Sequence, residues 1–477
     1  MAGKPFYLTT TLPYVNAEPH IGFALEIVHA DIIARYKRLM GDEVFFNTGT
    51  DEHGQKIYQA AQKEGKAVEA YVDHYAQTFE ILKQGLDLSY DAFIRTTNPA
   101  HVVAAQELWK RCAAAGDIYK KKYKGLYCVG DEAFLRESDL VDGKCPNHPN
   151  MAIQEIEEEN YFFKLSNYQD KLLQYLSNPE VILPAWRREE AVAFVKQGLE
   201  DFSISREKSR MSWGVPVPGD ETQVMYVWFD ALTNYISTLG WPEDTEGKFK
   251  KFWQEGEVVQ VAGKDQIRFQ SIIWQAMLMS GGVKTTDKVV YHGFITSGGQ
   301  KMSKSLGNVI EPLGLVKEYG TDAVRYFLAR HVPTFEDSDV TLERFKTAYN
   351  ADLANGLGNL ASRIMQLAQT HLDKGARPEV SGFPKEYTEP LEKFEIYKAA
   401  EYVWQCIAEL DVKITETAPF KLVKSDPEAG KKLIFELTQE LYLIGRMLNP
   451  FMPATNEAIK KAVIENKKPE NLFPRKD

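Results

Sequence analysis

The order of strand-like and helix-like segments most limits how this chain can fold. Short β-rich runs, "FYLTT" at 6–10 and "EVFFNTG" at 43–49, alternate with segments of helical period across residues 5–116. In the helical segment 20–39, apolar residues recur at spacings of three and four. Strand followed by helix, twice, predicts an α/β fold with a parallel, doubly wound sheet.

The alternation stops near residue 117 and resumes later, which indicates an insertion. Residues 117–205 carry short β-like pieces, charge runs and paired Cys or Cys/His positions. Strand and helix signals return in "VVQVAGKDQ" (258–266), "RFQSIIWQAMLMS" (268–280) and "KVVYHGFIT" (288–296). We therefore predict one sheet whose sequence is split by a connective insert.

The last third of the chain has a different pattern. After about residue 325 no strand signal recurs, and apolar residues in 353–367 are spaced alternately by four and three. That spacing is typical of a helix packed in a bundle. We predict an all-α helical bundle domain after the sheet domain. The expected parts are residues 1–116, 117–205, 206–325, 326–349 and 350–477.

Composition sets outer limits on the function. The chain has 477 residues, 44% of them hydrophobic, and a net charge of −10. That charge argues against a general polyanion binder, and the charged runs 119–125 and 155–161 are interpreted as solvated loops. Four cysteines form no disulfide framework, and neither a signal peptide nor an apolar run of about 18 residues occurs. We expect a cytoplasmic protein without membrane partners.

Two short motifs could bind phosphate groups. "HIGF" at 20–23 begins a predicted helix, where unpaired N–H groups attract anions. "KMSKS" at 301–305 follows a glycine pair and carries two lysines, which suits a mobile cationic clamp. Taken singly, each motif is more simply explained as ordinary surface.

Together, these motifs resemble the paired signatures of class I aminoacyl-tRNA synthetases, whose sheet is of the Rossmann type. "TTTLPYVNAEPHIG", "TGTDEHG", "YVWFDALTNYIS", "AGKDQIRFQSIIW" and "GGQKMSKSLGN" are similar to the methionyl-tRNA synthetase family, in that family's order. The resemblance covers residues 5 to 475. It assigns 1–116 and 206–325 to the catalytic domain, 326–349 to a linker or stem-contact region, and 350–477 to an anticodon-binding domain.

The resemblance implies a two-step reaction. The methionine carboxylate attacks the α-phosphate of ATP, supplied with Mg²⁺, to give methionyl-adenylate and pyrophosphate. The terminal ribose of initiator or elongator methionine tRNA then receives the acyl group. The substrates supply both nucleophiles, so the protein mainly positions groups and stabilises charge.

The resemblance also assigns roles to individual residues. His20, Lys301 and Lys304 are the expected catalytic residues. The expected ATP-binding residues are Asn16, His20, Gly22, Glu26, His292, Lys301 and Lys304. The expected methionine-binding residues are Leu12, Tyr14, Asp51, Trp228, Ala231, Tyr235, Gln270 and Trp274. Asp51 would hold the ammonium group, and aromatic rings suit a thioether. Without the surrounding motifs, Trp228, Ala231 and Tyr235 would be interpreted as ordinary core on one helix face.

Three positions depart from the family pattern. Phe23 stands where the family's "HIGH" motif ends in histidine, which removes one phosphate donor. Gln270 replaces a histidine that reaches toward the methionine sulfur, although its amide can still donate. Gln266 replaces an apolar residue. These changes leave the rate of adenylation and the selectivity for methionine open.

The insert and the helical domain carry further expected ligand-binding residues. Cys128, Asp131, Cys145 and His148 match paired positions that often form zinc knuckles in the family. A knuckle held by packing alone is the alternative interpretation. In the helical domain, the residues that match anticodon-binding positions are Asn359, Arg363 and Phe420. The family's C-terminal dimerising extension is absent from this sequence, which favours a monomer.

Two other functions remain open at this stage. One is a synthetase relative that adenylates another amino acid, suggested by Gln266 and Gln270. The other is a paralogue that binds tRNA without efficient adenylation, suggested by Phe23.

Overall fold

The computed structural model describes residues 3–130, 133–135, 137–302, 308–375, 378 and 382–476. The chain forms two compact units. The first unit contains Met1–Pro19, Gly41–Lys83 and Tyr90–His292. The second unit contains His20–Met40, Gln84–Ser89 and Gly293–Asp477.

The strands of the described residues are, in chain order, β1 (Pro5–Thr10), β2 (Glu43–Thr50), β3 (Ala92–Arg95), β4 (Ile118–Cys128), β5 (Ala133–Leu135), β6 (Gln154–Phe163), β7 (Ile182–Leu183), β8 (Phe202–Ser203), β9 (Ser205–Glu207), β10 (Pro216–Val217), β11 (Asp220–Met225), β12 (Glu257–Gly263), β13 (Lys288–His292), β14 (Ile295–Ser297), β15 (Gln300–Lys301) and β16 (Ser338–Asp339).

The α-helices are α1 (Ile21–Met40), α2 (Gln55–Lys63), α3 (Val68–Glu80), α4 (Leu82–Gly85), α5 (Pro99–Ala114), α6 (Gln169–Leu176), α7 (Ala185–Lys196), α8 (Val227–Leu232), α9 (Asn234–Ser237), α10 (Trp274–Ser280), α11 (Pro312–Tyr319), α12 (Thr321–Arg330), α13 (Leu342–Ala348), α14 (Asn359–His371), α15 (Lys385–Glu392), α16 (Ile396–Thr417), α17 (Pro419–Ser425), α18 (Pro427–Leu448) and α19 (Pro453–Glu465). Wider, π-type turns occupy Phe249–Gln254, Arg268–Ile273 and Tyr349–Gly358. None of these helices is both long and apolar enough to cross a membrane, as far as the described residues go.

A six-stranded parallel sheet is the centre of the first unit. Its strand order is β3-β2-β1-β12-β13-β7. Parallel sheets are covered on both faces, and the strands are accordingly apolar runs, with six of the seven residues of β12 buried. The strand order reverses at β1 and β12, where sheets of this kind bind ligands beyond the carboxyl ends of their strands. The predicted parallel, doubly wound sheet is confirmed.

The two charged runs of the insert form paired strands. β4 and β6 are antiparallel neighbours, with Lys122 opposite Glu159 and Lys124 opposite Glu157. The ammonium group of Lys124 also lies 2.7 Å from Glu155. The interpretation of both runs as solvated loops was therefore wrong. Opposite charges on facing strands are favourable neighbours, so the lysines of β4 and the glutamates of β6 stabilise each other.

Other strands of residues 117–205 pair in two ways. β5, β4, β6 and β8 form one antiparallel sheet. β7 instead pairs with β13 at the edge of the parallel sheet. The segment that interrupts the sheet in sequence therefore also contributes a strand to it.

The second unit is mainly helical. α14, α16 and α19 each pack against α18. The predicted seam is buried at Leu353, Leu357, Leu360 and Ile364, all at most 1% exposed. The two residues of β16, which pair with β14, are an exception to the predicted absence of strands after residue 325.

A buried ion pair joins several segments of the second unit. The guanidinium of Arg325 lies 2.7 Å from the carboxylate of Asp31, and both side chains are fully buried. Arg325 also donates to the carbonyl oxygens of Leu86, Pro450 and Phe451 at 2.8–3.0 Å. Asp31 lies in α1 and Arg325 in α12. One cation thus connects two helices with two segments of irregular chain.

Candidate active site

The loops after β1 and β2 are joined at the carboxyl edge of the parallel sheet. Tyr14 and Asp51 form a parallel bridge. The N–H of Asp51 donates to the carbonyl of Pro13 at 3.0 Å, and the N–H of Val15 donates to the carbonyl of Asp51 at 3.3 Å. Asp51 is only 3% exposed. A carboxylate is therefore held at the position where the strand order predicts a ligand.

Aromatic rings from three segments meet beside this edge. Trp228 stacks on Phe269 with ring centroids 3.7 Å apart. Tyr14 contacts Trp228 edge to face at 6.4 Å. Phe269 was missed in the sequence, although it directly precedes Gln270. Its identity as a stacking partner depends on the π-type turn at Arg268–Ile273, which the residue spacing does not predict.

Tyr235 contacts two other residues expected to bind methionine. Gln270 donates from Nε2 to the hydroxyl of Tyr235 at 2.5 Å. The rings of Tyr235 and Trp274 meet edge to face at 5.7 Å. The helix that carries Trp228, Ala231 and Tyr235 is divided at Thr233 into α8 and α9, but Thr233 itself keeps helical torsion angles.

Several polar atoms around these rings are buried without a hydrogen-bond partner among the described residues. They are Oε1 of Gln270 and Nε1 of Trp228 and Trp274. Buried polar atoms are normally paired, so a ligand could supply the missing partners. Leu12 is half-buried and Ala231 is buried. Gln266 donates to the adjacent Asp265 at 3.0 Å.

A buried carboxylate with two histidines lies in α8, two residues after Trp228. Asp230 is 2.6 Å from Nδ1 of His53 and 2.8 Å from Nε2 of His101. Burial alone would raise the pKa of Asp230, but the charge of His53 and the hydrogen bonds from His101 and His53 outweigh it and lower that pKa to about 2. The sequence motifs contained His53 and Asp230 but gave no sign that they meet.

The "HIGF" motif lies in the second unit. α1 begins at Ile21, whose N–H donates to the carbonyl of Ile310 at 2.9 Å. The N–H of Gly22 donates to Nδ1 of the exposed His20 at 3.1 Å. A Cβ atom on Gly22 would lie 2.9 Å from Cε1 of His20, so a larger residue would displace the ring. Glu26 is buried in the same helix.

The start of the "KMSKS" segment is a tight hairpin. β14 and β15 pair antiparallel, with Thr296 opposite Lys301. Gly298 and Gly299 between them have φ of 64° and 72°, as two-residue hairpin turns require. Asp339 accepts hydrogen bonds from the N–H of Gly299 and the hydroxyl of Thr296, both at 2.8 Å. Lys304 lies outside the described residues.

The residues expected to bind ATP are divided between the two units. Asn16 and His292 belong to the first unit, where His292 is the last residue of β13 and is buried. The others that the structure describes, His20, Gly22, Glu26 and Lys301, belong to the second.

Two thiols and an imidazole converge in the insert. The ligand atoms of Cys128, Cys145 and His148 lie within 4.8 Å of one another, and Nδ1 of His148 is 3.9 Å from each sulfur. A Cβ atom on Gly130 would lie 2.4 Å from the ring of His148, so glycine is needed there. These donors suit Zn²⁺. Asp131, the fourth expected ligand, lies outside the described residues.

The residues expected to contact the anticodon lie at the surface of the second unit. Asn359 is exposed at the start of α14, and Arg363 follows one turn later. Arg363 forms an ion pair of 2.5 Å with Asp411 in α16. Phe420, in α17, is 50% exposed.

Comparison with known proteins gives one consistent family. The model of tRNA synthetases class I (M) matches residues 6–155 and 150–365. The methionine-tRNA ligase of Caldanaerobacter subterraneus subsp. tengcongensis is 42% identical over 469 residues, covering 95% of this chain and 73% of that protein. The methionine-tRNA ligase of Rhizobium meliloti is 41% identical, covering 94% and 90%.

Solved structures agree with these relatives. Methionyl-tRNA synthetase of Mycobacterium tuberculosis in complex with methionyl-adenylate matches with a TM-score of 0.90 and 37% sequence identity, covering 99% of both chains. Similarity of this extent includes the sheet, the insert and the helical region. The chain therefore belongs to the methionine-tRNA ligase family of class I aminoacyl-tRNA synthetases.

Proposed function

We propose that the chain activates methionine with MgATP and transfers it to the 3′ end of methionine tRNA. The observation that carries this proposal is the group at the carboxyl edge of the sheet. It combines the buried carboxylate of Asp51, bridged to Tyr14, with the rings of Trp228, Tyr235 and Trp274. Relatives at about 40% identity are named as ligases, so a tRNA-binding paralogue without adenylation is not favoured.

The first step needs positioned charges and no protein nucleophile. Asp51 would hold the ammonium of methionine, while the aromatic rings and Gln270 contain the thioether. The carboxylate of methionine then attacks the α-phosphate of ATP, and pyrophosphate leaves. His20, Lys301 and Lys304 would stabilise the charge on the phosphates, with Asn16, Gly22, Glu26 and His292 completing the nucleotide site.

The second step requires tRNA to reach the same adenylate. Asn359 and Arg363 would bind anticodon bases, and the half-exposed ring of Phe420 would stack on one of them. We assign residues 350–477 to this recognition and residues 326–349 to the connection with the catalytic parts, 1–116 and 206–325. Residues 117–205 are assigned to the connective insert.

The proposal predicts methionine-dependent exchange of labelled pyrophosphate into ATP. Wild type should exchange with methionine and far less with leucine, norleucine or glutamine. Phe23→His should raise the rate if the missing donor limits adenylation, because one positioned donor can change a rate by about 10²-fold. Exchange driven best by another amino acid would contradict the assignment of methionine. Binding of methionine tRNA without any exchange would indicate a non-catalytic protein.

We also propose that Cys128, Cys145 and His148 hold a structural Zn²⁺, with Asp131 as the fourth ligand. The two thiols and the imidazole already lie within 4.8 Å of one another. A bound ion would fix the loop between β4 and β6, where structural zinc contributes directly to local folding.

The purified protein should contain about one zinc per chain. Cys145→Ser should lose the metal and become sensitive to protease between β4 and β6, because the thiolate is the strongest zinc ligand in this set. Cys406→Ser, at a half-buried cysteine of α16, is the control and should keep its zinc. Equal zinc content in the two variants, or none in wild type, would refute the site.

A further inference from the structure

Asp230 lies in α8, two residues after Trp228 and next to Ala231. It is 1% exposed, and each of its carboxylate oxygens is bonded to a different histidine, His53 or His101. The methionine-binding and catalytic roles described above do not include these three residues. A buried carboxylate of this kind is costly unless it is fully paired, so its place needs a reason.

The carboxylate fixes which ring nitrogens carry protons. A carboxylate can only accept, so Nδ1 of His53 and Nε2 of His101 must each present an N–H to it. On its other side, Nδ1 of His101 lies 2.8 Å from the hydroxyl of Ser237 in α9. The orientation of both rings is therefore set by Asp230 and not by solvent.

His53 connects this carboxylate to the loop that carries Asp51. The backbone N–H of His53 donates to Oδ1 of Asp51 at 3.4 Å, a long bond that depends on how the loop is held. The ring of His53 packs against Trp213 at 5.4 Å, and Nε1 of Trp213 donates to the carbonyl of Glu52 at 2.6 Å. The segment 51–53 is thus fixed through its side chains and its backbone together.

We propose that Asp230 is a positioning residue for methionine binding: it holds His53, and the backbone of His53 orients the carboxylate of Asp51 toward the ammonium group of the substrate. This inference rests on the proposed function, because it takes Asp51 as the ammonium-binding residue. Asp230 also lies in α8 with Trp228, and α9, which follows directly, carries Tyr235. One side chain therefore couples the two halves of the pocket, for the polar and the apolar ends of methionine.

The test is the kinetics of Asp230→Asn in pyrophosphate exchange. The amide keeps the shape but presents an N–H to one histidine, so one of the two bonds is lost. We expect KM for methionine to rise about tenfold or more, with KM for ATP and kcat changed less than about threefold. Inhibition by 4-(methylthio)butanoate, which lacks the ammonium group, should be unchanged.

The matched control is Asp117→Asn. Asp117 is also a buried carboxylate of the first unit and accepts from Asn167, Tyr168 and Ser280, none of which lies in the segment 51–53. The Asp117→Asn variant should leave KM for methionine unchanged. An equal rise in both variants would show a general structural effect and would overturn the proposal.

Variants of His53 and Asp51 keep the proposal testable if Asp230→Asn does not fold. His53→Asn places an amide N–H near the position of Nδ1 and should keep KM, whereas His53→Ala should raise it as Asp230→Asn does. In an Asp51→Asn background, either change should add little further loss. Additive losses would overturn the inference alone, while absence of methionine-dependent exchange in wild type would overturn the inference and the proposed function together.

Discussion

Arg325→Met should lower the free energy of unfolding of the second unit by about 3–5 kcal/mol, because it removes one partner of a fully buried ion pair. Among the residues that the structure describes, Asp31 would keep Arg35, at 2.8 Å, and the hydrogen bonds from Ser89. Three carbonyl oxygens, of Leu86, Pro450 and Phe451, would lose their donor at the same time. Methionine fills a similar volume, so the loss reports the polar contacts and not a cavity.

Thermal unfolding followed by calorimetry would measure this change, expected as a fall of about 10 °C in the transition of the helical unit. Lys398→Met is the control. Its ammonium pairs with Glu395 at the surface of the same unit, and exposed pairs contribute about 0–1 kcal/mol. A fall smaller than about 2 °C for Arg325→Met would show that the buried pair is not important for stability.

The stability difference between wild type and Arg325→Met should depend on pH, and the pKa of Asp31 sets the direction of that dependence. Burial opposes ionisation of Asp31, but Arg325, Arg35 and the hydrogen bonds from Ser89 outweigh it and lower its pKa. A carboxylate with a lowered pKa stabilises the folded state above its unfolded pKa and loses that effect as pH falls through the folded value. The difference between wild type and Arg325→Met should therefore be full near pH 7 and shrink in acid below about pH 4.

The sequence predicts the sheet and the helical bundle well because both depend on local periodicity. Apolar runs such as "VVQVAG" in β12 are buried on both faces, and the alternate spacing of Leu353, Leu357 and Leu360 is that of a buried seam. Each pattern can be recognised within a short window. The strand order was not predicted, because it depends on pairing between distant segments, such as β7 of the insert with β13.

Contacts between distant segments are what the sequence did not reveal. The charged runs at 119–125 and 155–161 appeared as separate solvated loops, because nothing local shows that each faces the other. Nor does the sequence show that α1 belongs to the unit formed by residues 293–477. α1 is joined to that unit by contacts with residues far away in the chain, among them the ion pairs of Asp31 with Arg325 and of Lys37 with Glu392.

In the candidate site, too, contacts between distant segments could not be predicted from local patterns. Among the residues expected to bind methionine, Tyr14 contacts Asp51 and Tyr235 contacts Gln270 in the structure, although the sequence predicted neither contact. Their functional roles stay predictions. Asp230 was missed because the aspartate and its two histidines come from three separate segments. No local pattern in the sequence shows that they are hydrogen-bonded to one another.

The largest expected effect on activity follows from the geometry of His20. Because Nδ1 of His20 accepts the N–H of Gly22 at 3.1 Å, the proton of the neutral ring is on Nε2. An N–H on Nε2 at the exposed start of α1 is suited to donate to a phosphate oxygen. Phe23 offers no donor at the position where the family pattern has a second histidine. Under the proposed function, His20 would therefore supply more of the charge stabilisation.

His20→Ala should lower kcat of methionine-dependent pyrophosphate exchange by about 10²- to 10³-fold, as loss of one positioned donor does in other enzymes. KM for methionine should stay unchanged, because His20 is not among the residues proposed to bind methionine. His20→Gln should recover part of the rate, since its Nε2 can occupy a position near the ring Nε2. The exposed His74 of α3 is the control, and His74→Ala should keep full activity. A loss in His20→Ala confined to KM for methionine would contradict a role on the phosphates, because a donor that acts on developing charge changes kcat.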